Sequence, residues 1–191
     1  MAEICTQTIY FEQQGKINTE RTLKTALKRI QELRIEQIVI ASTGGDTALE
    51  AMDIFKDYNP IIVTHSTGFN NPNEQEMPEK TRKTLEDLGA TVLTSLHSFG
   101  GIGRAVRKKF KTYQLEDIIA NTLRILGEGM KVCCEITLMA ADAGFINIEK
   151  ETVSIGGTAR GADTALVLKP ANTQNFFELK IKEILCKPRM D

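Results

Sequence analysis

The sequence predicts a soluble α/β protein with a mainly parallel sheet that is covered by helices on both faces. Three short apolar runs, at residues 37–41, 60–64 and 90–94, alternate with segments that have the spacing of amphipathic helices. Each run leads into a polar turn. Fully apolar strands that alternate with helices are typical of a parallel sheet buried on both sides.

The N-terminal part predicts an amphipathic helix before the first of these strands. Residues 8–12 fit either a short strand or an ordered segment that leads into the fold. Asn18 and Thr19 are residue types that favour a helix N-terminus. The apolar residues that follow at helical spacing are Leu23, Ala26, Leu27, Ile30 and Leu33.

The middle of the chain alternates helices with strands. The predicted elements are helix 46–57, strand 60–64, helix 78–88 and strand 90–94. Pro78 at the start of its helix and Gly89 after its end follow the usual asymmetry of these two residues at helix ends. The long polar stretch 65–77 is predicted to be a loop.

Two helices are predicted in the next part of the chain, and residues 101–110 fit a third. An amphipathic helix begins near Leu115, and Met130 to Ala143 is apolar on nearly every face. A helix of the second kind is expected to be buried. Its central charge, Glu135, then needs a partner, or that side of the helix faces a cavity or an interface.

Two more strands are predicted at 152–156 and 164–168. The link between them is too short for a parallel crossover, so they are expected to run antiparallel if they share the sheet. The tail, 172–187, fits a helix and a strand equally well, and its structure is left open.

Composition limits the function classes. The 191 residues fit one domain, with 41% hydrophobic and 26% charged residues. The net charge of −1 gives no electrostatic basis for nucleic-acid binding. A basic cluster is therefore interpreted as a solvated helix end; it consists of Arg104, Arg107, Lys108, Lys109 and Lys111.

The cysteines and the apolar segments predict a cytoplasmic protein. Cys5, Cys133, Cys134 and Cys186 lack metal-ligand spacing, so neither a disulfide framework nor a metal site is expected. The sequence has no signal-peptide pattern and no apolar stretch of membrane-spanning length, so no membrane contact is predicted.

Small polar residues and glycines follow four of the predicted strands. The carboxyl ends of parallel strands lie at one edge of a sheet, where open α/β folds bind ligands, so one shared cleft is expected there. The four segments are Ser42-Thr43-Gly44-Gly45, Thr64 to Phe69, Ser95 to Gly101, and Gly156-Gly157-Thr158. Both histidines, His65 and His97, fall in these segments, either as hydrogen-bonding loop residues or as general bases.

This edge is rich in hydroxyls and glycine amides but poor in carboxylates. Asp46 and Asp163 are the main exceptions, so metal-dependent phosphoryl transfer is not predicted. The N-terminus of helix 46–57 is expected to hold a phosphate through its free amides, with Thr47 and neighbouring hydroxyls. Arg104 or Arg160 adds charge, and a flat apolar part of the ligand rests near Phe69 or Phe99.

At these residues the chain resembles the C-terminal α/β domain of pyruvate kinases, and more closely the stand-alone, mainly archaeal proteins built on that domain. The likeness runs from about Thr19 to Pro170. It rests on Ile38–Met52, strand 60–64 and the loop Gly156–Thr164. It implies a three-layer αβα sandwich with a five-stranded, mainly parallel sheet in the order 3-2-1-4-5, the last strand antiparallel.

The resemblance also implies a ligand site. In pyruvate kinases the first turn and the late loop hold the phosphates of a sugar bisphosphate, and the stand-alone relatives are associated with flavin mononucleotide (FMN). Because Asp46 stands where effector-binding relatives often have a cation, a single phosphate is expected here. The positions carried over are Ser42, Thr43, Gly44, Gly45, Thr47, Gly157, Thr158, Arg160 and Gly161. The loops after the second and third strands add His65, Ser66, Thr67, Gly68, Phe69, Ser98, Phe99 and Gly100.

The leading hypothesis is thus an FMN-binding protein, a possible flavoprotein whose redox substrate the sequence does not name. The alternative is a regulatory or sensor module that binds a phosphorylated metabolite without turnover. A hydrolase or isomerase that uses His65 or His97 is a third hypothesis. The apolar helix 130–143 and a possible exposed tail further predict a homo-oligomer.

Overall fold

The computed structural model describes residues 3–189, and within them it forms one seven-stranded mixed sheet in the order β1-β7-β6-β5-β2-β3-β4. The strands are β1 (Ile9–Phe11), β2 (Gln37–Ala41), β3 (Ile61–Val63), β4 (Thr91–Leu93), β5 (Thr152–Gly156), β6 (Thr164–Lys169) and β7 (Lys180–Pro188). The α-helices are α1 (Thr19–Leu33), α2 (Asp46–Ile54), α3 (Glu79–Asp87), α4 (Gly101–Phe110), α5 (Leu115–Arg124) and α6 (Glu128–Asp142).

The predicted α/β fold is confirmed. The five predicted strands are β2 to β6, and they lie in the expected order β4-β3-β2-β5-β6. β2 pairs in parallel with both β3 and β5, and β3 pairs in parallel with β4. β6 runs antiparallel to β5, as the short link between them requires.

Two further strands extend the sheet beyond β6. The tail first forms a short 3₁₀ helix, Thr173–Glu178, and then β7, which pairs antiparallel with β6. β1 pairs in parallel with β7, with Ile9 opposite Cys186. The tail is therefore mainly a strand, and the N-terminal segment is an edge strand that depends on it.

Alternate residues of the central strands face two separate helix layers. Ile38 and Ile40 of β2 pack with α1 and α2, where Leu23 of α1 and Phe55, the residue that follows α2, are fully buried. Val39, between them, packs on the opposite side against Ile136 of α6. The period of two in a strand thus gives a three-layer αβα sandwich.

Helix α6 is the central element of its layer, because β2, β3, β5 and β6 contact it on one side and α5 on another. Every residue from Gly129 to Ala141 except Val132 is buried. The apolar surface of α6 is therefore covered by this chain itself and gives no support to the predicted homo-oligomer, which stays a prediction. None of the helices within residues 3–189 is long and apolar enough to span a membrane.

Candidate functional site

A cavity of about 450 Å³ opens at the carboxyl edge of β2, β3 and β5, and we call it the edge cavity. Its walls come from the start of α2, the loops after β3 and β4, the loop between β5 and β6, and one side of α6. This is the edge at which the sequence predicted a shared cleft, and the volume lies in the range of small-molecule sites.

Nine of the predicted ligand-binding residues line the edge cavity: Ser42, Thr43, Gly44, Thr47, His65, Phe69, Gly157, Arg160 and Gly161. Eight others are not among its lining residues: Gly45, Ser66, Thr67, Gly68, Ser98, Phe99, Gly100 and Thr158. Ser98 and Gly100 lie in a shallower neighbouring hollow. Phe99 is buried and packs edge-on against Phe176, so it is part of the core.

The turn between β2 and α2 leaves the N-terminus of α2 open toward the cavity. The Ser42 hydroxyl accepts a hydrogen bond from the Ala48 amide at 3.2 Å. Gly45 precedes the helix with φ 103°, a conformation that favours glycine. No group of residues 3–189 accepts a hydrogen bond from the Asp46 or Thr47 amide, so these two donors are available to an anion.

Two exposed cations line the edge cavity together with this helix end. Lys16, from the 3₁₀ helix Lys16–Asn18, lies 3.9 Å from the Asp46 carboxylate. Arg160, from the loop between β5 and β6, lies 3.7 Å from the Glu76 carboxylate. The Lys16–Asp46 pair is exposed and therefore weak, and the Arg160 side chain is itself 68% exposed, so both cations can contribute charge to a bound anion. Lys16 thus brings a cation from a different segment to the turn that carries Asp46.

The loop between β5 and β6 is fixed by a buried carboxylate. Asp163 is fully buried and accepts hydrogen bonds from the amides of Gly15 at 2.8 Å and Thr158 at 3.1 Å, and from the Thr164 hydroxyl. The N-terminal segment that carries Lys16 and the loop that carries Arg160 are therefore held by one side chain.

An aromatic cluster forms the opposite wall of the edge cavity. The rings of His65 and Phe69 stack with centroids 4.0 Å apart, and His97 lies 5.0 Å from Phe69. The Arg104 guanidinium lies 4.4 Å from the centre of the Phe69 ring, and no carboxylate of residues 3–189 pairs with it. Arg104 therefore differs from the solvated helix end that the sequence suggested for its basic cluster.

His65 is held by a carboxylate from its own loop. Its Nδ1 lies 2.6 Å from Glu76 Oε2. Burial lowers the pKa of His65 below its ordinary value, and it outweighs the hydrogen bond with Glu76, which acts in the opposite direction. The ring is therefore mainly neutral near pH 7.

A second charged network lies at the base of the cavity, on α6. Glu135 pairs with Lys131, accepts a hydrogen bond from the Phe99 amide at 3.0 Å, and lies 3.5 Å from His97 Nδ1. Burial alone would raise the pKa of Glu135, but the hydrogen bond with His97 and the charge of Lys131 together lower it to about 2. Glu135 thus has partners and also lines the cavity.

Sequence reasoning missed several residues that line or support the cavity. Lys131 could have been found, because it and Glu135 lie four residues apart in an otherwise apolar helix. Nothing in the sequence distinguishes Glu76 from the other polar residues of its long loop. The position of Lys16 depends on contacts between distant segments, and a local pattern does not show such contacts.

The cysteines take no part in the cavity. Cys133, Cys134 and Cys186 are buried, and burial raises the pKa of Cys134 to about 12 and that of Cys186 to about 11. Within residues 3–189, no three His, Cys, Asp or Glu side chains come together in a metal-binding group.

Comparison with known proteins gives one family match. The model of the pyruvate kinase alpha/beta domain matches residues 20–168. Among solved structures, a pyruvate kinase from Cryptosporidium parvum is similar over 80% of this chain and 22% of its own length, at 12% identity and a TM-score of 0.42. Cryptosporidium parvum pyruvate kinase in complex with ADP is similar over 87% of this chain and 23% of its own, at 14% identity and a TM-score of 0.40. The chain thus spans less than a quarter of the length of these enzymes.

Proposed function

The chain belongs to the pyruvate kinase alpha/beta domain family, and from this premise we propose that it binds a small phosphorylated ligand in the edge cavity, with FMN as the leading candidate. The phosphate lies at the N-terminus of α2, and the flat part of the ligand lies toward the aromatic cluster.

One observation carries the proposal. The amides of Asp46 and Thr47, which have no acceptor among residues 3–189, open toward a cavity that is also lined by Lys16 and Arg160. Amides at a helix N-terminus carry partial positive charge, and cations beside them add to the attraction of an anion. Since Asp46 lies on the same turn, the main-chain donors and the neighbouring cations must outweigh its negative charge.

The residues present fit FMN in their chemistry. The donor set at α2 suits a phosphate, and the Thr43 and Thr47 hydroxyls add donors for it or for the adjoining ribityl chain. The stacked His65 and Phe69 rings offer a flat surface of the kind that packs against an aromatic ring. When bound, FMN would supply redox chemistry, and the protein would supply binding and orientation.

Purified protein provides the direct test. We expect flavin absorbance in fresh protein, or quenching of FMN fluorescence when FMN is titrated into it. Riboflavin, which lacks the phosphate, is the matched control and is expected to bind at least tenfold more weakly, because the contacts at α2 are lost. Colourless protein that quenches neither compound would contradict FMN binding.

A regulatory module that binds a phosphorylated metabolite is the second candidate. The observation that favours it is the pair of cations, Lys16 and Arg160, which line the edge cavity together with the start of α2. Two separate cations suit a ligand with more than one anionic group. Thermal stabilisation by sugar phosphates or nucleotides, without stabilisation by FMN, would support this candidate over the first.

A further inference from the structure

One ring nitrogen of His65 is hydrogen-bonded, and the other has no partner in the described part of the chain. A carboxylate can only accept a hydrogen bond, so the 2.6 Å contact with Glu76 places the proton of the neutral ring on Nδ1. The lone pair then lies on Nε2, and no donor within residues 3–189 bonds to that atom. The ring lines the edge cavity with 32% of its side chain exposed, so solvent and ligand can reach it.

The charges that face His65 come from four elements. Glu76 of its own loop favours the protonated ring, whereas His97 from the loop after β4 and Arg104 from α4 disfavour it. Arg160 from the loop between β5 and β6 pairs with Glu76 and so weakens its effect. Together with burial, these groups keep the ring neutral when no anion is bound.

We propose that His65 takes up a proton when an anionic ligand enters the edge cavity, and that it then donates a hydrogen bond from Nε2 to that ligand. The inference rests on the proposed function and adds a regulatory property to the same site. The proton comes from solvent, its new bond uses the Nε2 lone pair, and it returns to solvent when the ligand leaves.

The physical reason is that a bound anion changes the electrostatic effects that set the protonation of the His65 ring. A negative charge added to the cavity that His65 lines favours imidazolium, and it opposes the effects of Arg104 and burial. A bound ligand that raises the pKa of His65 by one unit is itself bound tenfold more tightly when the ring is protonated. Affinity for the anion is therefore expected to fall as pH rises through the pKa of His65 in the complex.

Titration calorimetry with FMN, in two buffers of different ionisation enthalpy, measures the protons taken up on binding. Inorganic phosphate is the probe if FMN does not bind. At the pH midway between the free and bound midpoints of His65, the wild-type protein is expected to take up about half a proton more than His65→Asn. Protonation of the ligand's own phosphate contributes to both proteins and cancels in the difference.

Two further measurements keep the test independent of how well His65→Asn folds. In a pH titration of the wild-type protein followed by NMR, the midpoint of the His65 ring signal is expected to lie about one pH unit higher with ligand than without it. His97→Asn serves to assign the two histidine signals. Glu76→Gln is expected to reduce the proton uptake, whereas Glu74→Gln, an exposed carboxylate of the same loop, is expected to leave it unchanged.

The outcomes separate the two proposals. Equal proton uptake by wild type and His65→Asn, with binding intact in both, would overturn the proposed protonation of His65 but leave the proposed function standing. An unshifted His65 midpoint in the ligand-bound wild type would do the same. Failure of the wild type to bind FMN, inorganic phosphate or any sugar phosphate would overturn the proposed function, and this inference with it.

Discussion

Lys131 and Glu135 lie one turn apart on α6 and form an ion pair whose side chains are 9% and 4% exposed. The pair lies at the base of the edge cavity, where each charge depends on the other because water reaches neither freely. Removing one partner of a buried pair leaves the other charge uncompensated, and this usually costs more than the pair itself contributes.

Lys131→Met is therefore expected to lower the free energy of unfolding by about 3–5 kcal/mol, as measured by urea denaturation. The double variant Lys131→Met/Glu135→Leu should recover much of this loss, because it leaves no buried charge behind. Arg124→Met, which breaks a half-exposed pair with Glu128, is the control and should cost about 1 kcal/mol or less. A double variant as unstable as Lys131→Met alone would contradict this account.

The same carboxylate makes the fold sensitive to acid. The pKa of Glu135 is about 2 in the folded protein, against an ordinary value of 4.5, because His97 and Lys131 overcome the effect of burial. A group whose pKa is lower in the folded state stabilises the protein above its unfolded pKa, and this contribution is lost as pH falls from about 5 to 2. The shift corresponds to a stabilisation on the order of 3 kcal/mol near neutral pH.

Denaturation at several pH values tests this dependence. Glu135→Gln should be less stable than wild type at pH 7, and the difference should become small near pH 2. Glu128→Gln serves as a control, because its half-exposed pair with Arg124 should give a small difference at every pH. A difference for Glu135→Gln that stays constant across this range would show that the charge of Glu135 is not the cause.

The central sheet could be predicted because its signals are local. Runs such as Ile61–Val63 are apolar throughout, and the seven residues between β5 and β6 allow only an antiparallel pair. β7 could not be assigned from its own residues, because the spacing of its apolar residues also fits a helix. Its identity as a strand depends on pairing with β6 and on the contact of Glu183 with Arg29 of α1, at 2.7 Å.

The site could be predicted only in part, for a related reason. Residues next to strand ends, such as Ser42 and His65, reach the edge cavity because the topology of the sheet brings them there. Lys16 lines it through contacts between segments that lie far apart in sequence, whereas Glu76 supports it through His65 and Arg160. Phe99 was expected at the ligand, but it packs into the core because Phe176 of the tail lies against it.

Gly44 and Gly45 are expected to respond differently to substitution. At Gly45, φ is 103° and an added Cβ would overlap the side chain of Thr81, whereas a Cβ on Gly44 would meet no atom within 4 Å. Gly45→Ala should therefore lower the free energy of unfolding by about 1–3 kcal/mol. Gly44→Ala should leave stability nearly unchanged but weaken FMN or phosphate binding by about tenfold, because its methyl group enters the cavity.

Thermal unfolding and titration of both glycine variants separate the two effects. If Gly44→Ala bound ligand as tightly as wild type, the ligand would not approach the backbone at this turn.

Asp163→Ala should destabilise the fold strongly. The substitution leaves the amides of Gly15 and Thr158 and the hydroxyl of Thr164 without their acceptor in a buried place. Because each unsatisfied buried donor costs about 1–3 kcal/mol, we expect a total loss of about 3 kcal/mol or more in urea denaturation. Asp53→Ala, at an exposed position of α2, should stay within about 0.5 kcal/mol of wild type. A small effect at Asp163 would mean that water replaces the carboxylate.

A substitution at Arg104 distinguishes the two ligand candidates most directly. Its guanidinium lies against Phe69 without a carboxylate partner in residues 3–189, so its charge is available to a ligand in the edge cavity. In the proposed placement the ring of FMN lies beside Phe69 and Arg104, whereas the proposed phosphate site at α2 consists of main-chain amides, Lys16 and Arg160. Arg104→Gln should therefore weaken FMN binding by about 3- to 30-fold and change the binding of inorganic phosphate much less. Lys108→Gln removes an exposed charge from the same helix and should change neither affinity, so an equal loss in both variants would indicate only a general effect of net charge.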